Sequence, residues 1–272
     1  MAYQFSSLQL RIMTAAVLIP LVVTGIFLVK NEWYFAIGTG LIFAAGAWEW
    51  AKLSHYNSLI KKIAYVIVFG LCTFAMSYYL HIWQILLAGT LFWIMPLIWV
   101  SLYRGSSTVL NNPHLRALCG LIVLPTAWLG LNILQFLVKP IPVYLIILLM
   151  LIWASDTFAF FAGRLWGKKP LAPHVSPKKT MAGFWGGMVG ALCLGALAIP
   201  FIDQPPLLIM GVSIVTILLG VLGDLFESLL KRIEGVKDSG TILPGHGGIL
   251  DRLDSLLAAL PFFALILWYR VA

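Results

Sequence analysis

The chain has 272 residues, 61% of them hydrophobic, and a mean hydropathy of +0.97. No soluble domain of this length hides that much apolar surface, so the expected class is an all-α, polytopic integral membrane protein. The net charge of +8 raises nucleic acid as a partner, but the distribution of the basic residues argues against it, and Cys72, Cys119 and Cys193 sit in apolar stretches with no metal or disulfide spacing.

The first predicted element follows Arg11 and runs to about Val29. It is long for a signal-peptide core and lacks a convincing small-x-small cleavage site, so it reads as a retained membrane helix. A window of about 20 apolar residues then gives nine spans in all. They lie near 10–30, 33–53, 62–80, 82–103, 115–138, 141–163, 183–202, 206–230 and 253–271. Placing the N-terminus in the cytoplasm puts fifteen Lys and Arg inside and three, Lys30, Lys139 and Arg270, outside. That asymmetry predicts a cytoplasmic N-terminus and, with nine spans, a C-terminus outside. The inner basic residues also suit an anionic lipid surface.

The whole chain reads as one membrane domain. Residues 1–140 carry few polar groups and look like scaffold, while 141–272 and their inner loops carry the chemistry. Glu49, between Trp48 and Trp50 near the inner end of the second span, reads most simply as an interfacial residue among aromatic anchors. In the sixth span, Ser155-Asp156-Thr157 puts a carboxylate where it needs a partner or a water-filled cavity. Arg164, Lys168 and Lys169 follow, and then Ser176-Pro177-Lys178-Lys179-Thr180 ahead of Gly183, Gly186 and Gly187. Hydroxyls and lysines before a helix start suit phosphates; a plain basic turn is the competing reading.

Residues 224–254 hold six of the chain's ten acids. Asp224, Glu227 and Ser228 share a helix face at i, i+3 and i+4, with Lys231 one turn on. An ordinary polar helix end at the water boundary is the competing reading, stronger for Glu227 than for Asp224. Lys231-Arg232 and Lys237-Asp238 either mark the cytoplasmic side or act as counter-charges for phosphate oxygens. Pro244-Gly245-His246-Gly247-Gly248 forms a turn whose N–H groups can converge on an anion. His246 either donates to a phosphate or bonds the loop to itself. Asp251 and Asp254, flanking Arg252, open the last helix. They either offset the helix dipole or meet Asp224 at a site for Mg²⁺, which favours few carboxylates and substrate phosphates.

The run Ser228-x-Leu230-Lys231-Arg232-x4-Lys237-Asp238-x-Gly240-x2-Leu243-Pro244-x-His246-Gly247-Gly248-Ile249-x-Asp251-Arg252-Leu253-Asp254 resembles, position for position, the signature of the phosphatidate cytidylyltransferases, or CDP-diacylglycerol synthases. Ala47-Trp48-Glu49-Trp50, Asp156-Thr157 with Gly163, and Ser176 to Thr180 extend the likeness, which covers essentially the whole chain and looks like the bacterial form. Two places depart from it. Met181-Ala182 stand where the family usually has Trp and then an acid or amide. Phe158-Ala159-Phe160 stand where it favours Gly or Ala and then Ala-Tyr.

The resemblance implies transfer of the cytidylyl group of CTP to phosphatidic acid, giving CDP-diacylglycerol and pyrophosphate in phospholipid biosynthesis. It places the chain in the inner membrane with its site facing the cytoplasm and implies a homodimer. Asp224 and Asp251 would anchor Mg²⁺, with Asp254 and Asp238 close by; a second cation, monovalent or divalent, fits the same reading. Lys231, Arg232, Lys237, Arg252 and His246 would neutralise the triphosphate. Ser176, Lys178, Lys179, Thr180, Ser228, Gly247 and Gly248 would contact substrate. Two other classes compete: an ion-coupled transporter, disfavoured because the acids gather at one face and not at the midplane, and a CTP-dependent lipid kinase or a synthase acting on isoprenoid ether lipids. A CDP-alcohol phosphotransferase is disfavoured by spacing, because two residues, not three, separate Asp251 from Asp254.

Overall fold

The computed structural model describes residues 7–105, 108–137, 142–201, 204–245 and 247–271. Helix α1 spans Ser7–Leu28, α2 Glu32–Leu53 and α3 Leu59–Tyr79. Then come α4 Ile82–Phe92, α5 Ile94–Leu102, α6 Pro113–Phe136 and α7 Val143–Trp166. The chain continues with β1 Pro170–Ala172, β2 Ser176–Thr180, α8 Met181–Ala198, α9 Pro206–Glu234 and α10 Leu250–Val271.

Taken with α4 and α5 as one interrupted segment, the helices fall where the nine apolar runs predict them. Six of them, Leu59–Tyr79, Ile82–Leu102, Pro113–Phe136, Val143–Trp166, Met181–Phe201 and Pro206–Glu234, are long and apolar enough to cross a membrane among the described residues. The break at Trp93 has a local cause: Pro96 offers no N–H to the preceding turn. Boundaries follow capping chemistry. Asn31, Ser58 and Asn112 accept hydrogen bonds from the first turns of α2, α3 and α6, and Gly235, with φ of 72°, ends α9. This end lies four residues beyond the predicted boundary at 230, because Lys231 and Glu234 are held by partners.

One segment departs from the all-α expectation. The loop after α7 forms an antiparallel hairpin in which Pro170 pairs with Thr180 and Ala172 with Ser176. Prolines at 170, 173 and 177 exclude a helix there, so the backbone satisfies its polar groups by a strand ladder.

Helix α10 lies at the centre, packed against α9, α6, α4, α7 and α2. Its Leu257, Ala258, Ala259, Leu260, Phe263 and Ala264 are buried. Gly223 of α9 faces the Asp254 carbonyl so closely that no Cβ could stand between them. The small residues Gly223 and Ala258 thereby bring α9 and α10 together beside Asp224 and Asp254. Helices α7 and α8 are equally close: a Cβ on Gly187 would lie 2.7 Å from the Ser155 carbonyl. Phe158, one of the departures from the family pattern, fits because Gly190 of α8 leaves room for its ring. At the C-terminal end of α9, Glu234 accepts from buried Arg116 of α6 at 3.0 Å and pairs with His55 after α2 at 2.8 Å. Outward-facing Leu41, Ile67, Leu71, Leu91 and Leu102 are exposed, as lipid-facing positions are.

Candidate active site

The site is built where α9 and α10 meet the β-hairpin and the 235–249 loop. Asp224, Glu227, Ser228 and Lys231 share one face of α9, as their spacing predicts. Lys179 from β2 pairs with Asp224 Oδ2, and Ser228 Oγ lies 3.4 Å from Asp224 Oδ1. Lys231 Nζ donates to Glu227 Oε2 at 2.9 Å and to Asp251 Oδ1 at 2.7 Å. Asp254 lies within electrostatic reach of Asp224, Glu227 and Lys179. Asp156 of α7 points to the same cluster, within reach of Asp224, Lys179 and Arg252. Charged partners are therefore within reach of it, as an intramembrane carboxylate requires.

The glycine turn folds on itself, with Leu243 and Gly247 exchanging backbone hydrogen bonds of 2.9 and 3.1 Å. Gly245 and Gly247 take φ of 75° and 85°, which side-chain-bearing residues rarely adopt. Gly247 also approaches Asp251 so closely that a Cβ there would lie 2.9 Å from Oδ2. The turn does gather donors around an anion, and that anion is Asp251. Its Oδ2 accepts from Ser239 N at 3.0 Å, Ser239 Oγ at 2.9 Å and Gly248 N at 2.8 Å. Both Asp251 oxygens are therefore engaged, one by Lys231 and one by the loop.

The remaining sequence candidates divide. Arg232 is exposed and donates from Nε to the Val175 carbonyl at 3.2 Å, tying the hairpin to α9. Thr180 caps α8 by accepting from Gly183 N at 3.1 Å. Ser176 sits in the strand pair opposite Ala172. Lys178, Lys237, Asp238 and Arg252 are exposed around the site, and Asp238 borders Gly247. His246 lies outside the described residues.

Two participants were missed by the sequence reading. Ser239 bridges to Asp251 as above. Glu49 is not interfacial: it is 1% exposed, and its Oε2 accepts from Leu250 N at 2.9 Å and lies 3.2 Å from Ser239 Oγ. The signal available was an acid in a scaffold helix, where a buried carboxylate needs donors. Flanking Trp50 misled, because its ring is buried and bonds the Arg116 carbonyl at 2.8 Å.

Among the described residues no group of three or more His, Cys, Asp or Glu is set to hold a metal ion, and two lysines engage three of the carboxylates, Asp224, Glu227 and Asp251. The donor chemistry nevertheless suits a hard cation. Among the described residues Glu227 Oε1 is buried without a partner, and the carboxylates of Asp224 and Asp254 lie within electrostatic reach of one another. Beside the cluster, α5, α9 and the hairpin line an open apolar pocket of about 490 Å³. Leu222 and Leu225 form part of its wall, and Arg104 and His174 also line it.

A model of the cytidylyltransferase family matches residues 9–270. The chain is 37% identical over 270 residues to a phosphatidate cytidylyltransferase of Pseudomonas aeruginosa, covering 96% of this chain and 97% of that protein. It is 34% identical over 284 residues to one of Haemophilus influenzae, covering 94% and 97%. A Bacillus subtilis relative of the same name is 46% identical over 127 residues, which is 46% of this chain and 47% of the relative.

Proposed function

The chain belongs to the cytidylyltransferase family, and from that premise we propose that it transfers the cytidylyl group of CTP to phosphatidic acid, giving CDP-diacylglycerol and pyrophosphate. The observation that carries this reading is the meeting of Lys179, Asp224, Lys231 and Asp251 at one end of α9 and α10, beside helices apolar enough for a bilayer.

In this reaction an oxygen of the lipid phosphate attacks the α-phosphorus of CTP. The new P–O bond forms as the α–β anhydride bond breaks, and pyrophosphate leaves. The lipid phosphate is already ionised, so no general base is required. Both reactants are anions, and the work of the site is alignment and charge stabilisation. Lys179 and Lys231 are fixed cations for that task. Arg232 holds the hairpin that presents Lys179. Asp251 keeps the glycine turn and Lys231 in register.

The residues fit Mg²⁺, with Asp224 as the expected anchor and Asp254 and the unpartnered oxygen of Glu227 beside it. When bound, the ion would screen the triphosphate from the incoming lipid phosphate. Asp251 enters this arrangement through the loop it holds. The excess of basic residues on the inner loops supports a cytoplasmic site, where the nucleotide is dissolved. The apolar pocket suits an acyl chain of the lipid substrate.

The test is label placement. Purified protein in vesicles containing phosphatidic acid should move label from [α-³²P]CTP into lipid. Label reaching lipid only from the γ position would mean phosphoryl transfer and would overturn the reading.

A further inference from the structure

Glu49 stands outside the signature and on a different helix, yet the signature loop is built around it. Its carboxylate lies 3.2 Å from Ser239 Oγ, and Ser239 is bonded through both N and Oγ to Asp251. Its Oε2 also accepts the amide of Leu250, the first residue of α10, at 2.9 Å. The loop passes so close that Gly240 has no room for a Cβ beside Glu49 Oε1, and a Cβ on Gly248 would lie 2.5 Å from Oε2. Among the described residues no cation pairs with it, and its Oε1 is buried without a partner. A buried carboxylate in that state is costly, so it is a place where loss would be expected unless geometry needs it.

We propose that Glu49 is a positioning residue for the transfer reaction: it anchors Ser239 and the start of α10, and so fixes where Asp251 and Lys231 stand. This rests on the reading of the site given above. The role is one of length and hydrogen bonding. Glutamine has the same length and an oxygen that accepts the Leu250 amide in the same place beside Ser239 Oγ. Aspartate keeps the charge but is one methylene short, and alanine leaves the Leu250 amide buried without an acceptor.

The experiment uses the full chain in lipid vesicles, with Glu49→Gln, Glu49→Asp and Glu49→Ala compared for kcat, for KM toward CTP and for hydrogen exchange over residues 238–250. Glu49→Ala and Glu49→Asp should lower kcat on the order of 100-fold, with KM changed far less, as expected when reacting groups are misplaced. Both should speed exchange in 238–250 while the other helices stay protected. Glu49→Gln should recover most of the rate and the protection. If Glu49→Ala fails to insert, Glu49→Asp against Glu49→Gln carries the comparison. Wild-type exchange and kcat in Glu49→Asp would overturn the proposal, and so would a Glu49→Gln variant as damaged as Glu49→Asp. Exchange does not depend on turnover: a wild-type chain that labels no lipid would sink the proposed function, while loop exchange would still decide the role of Glu49.

Discussion

Lys231 of α9 stands 2.7 Å from Asp251 of α10, and the same ammonium stands 2.9 Å from Glu227. One cation thus joins two acids from two helices where the C-terminal part of α9 meets the start of α10. The side chains are 11%, 8% and 3% exposed, so this is a buried triad and not a surface bridge.

Removing that cation leaves two buried carboxylates facing each other. Lys231→Met should destabilise the protein by about 3–5 kcal/mol, the range for breaking a buried pair. Thermal unfolding in detergent should show a clear fall in apparent Tm. An unchanged Tm would mean that the triad is solvated.

Asp251→Asn keeps the size of the side chain but removes the charge that Lys231 and the glycine turn hold. Cytidylyl transfer should drop about 10²–10³-fold, the scale for losing a preorganised electrostatic contact, in protein that inserts normally. Near-wild-type turnover would reject the role given to Asp251. Asp224→Asn should lose activity on the same scale, because it frees Lys179 and removes the expected cation anchor.

Thorough chelation of divalent ions should abolish label transfer, and added Mg²⁺ should restore it. Transfer that persists undiminished in chelator would remove the cation from the account and leave Lys179 and Lys231 as the charge-stabilising groups.

Helix contacts give a prediction independent of catalysis. Gly187 meets the Ser155 carbonyl of α7, whereas Gly211 of α9 has open space where a Cβ would be. Gly187→Val should push α7 and α8 apart and cost about 1–3 kcal/mol. Gly211→Ala should be neutral or favourable by up to about 1 kcal/mol, since alanine is the better helix former. Apparent Tm values of the two variants should differ in that direction.

Much of the frame was legible in the order of residues. Long apolar runs locate the helices from α1 to α10, whereas the interruption before Pro96 and the end of α9 at Gly235 were not read from them. The face shared by Asp224, Glu227, Ser228 and Lys231 follows from helical spacing. The hairpin at 170–180 was not foreseen: three prolines signalled a non-helical loop, but strand pairing depends on a partner across a turn. Glu49 was misread because an acid between tryptophans looks the same at a membrane surface as it does in a buried cradle.

Sequence alone determined the helical membrane class and the positions of the helices, and its signature run identified the family by resemblance. Class and helix positions are properties of local composition and periodicity, which need no knowledge of what touches what. Tertiary packing decided which oxygens are already engaged. Donors from residues 179, 231, 239 and 248 reach their acids only after α9, α10 and the hairpin have closed together. A buried carboxylate takes whatever donors the fold brings within hydrogen-bonding distance, and that choice is made by contacts between residues far apart in the chain.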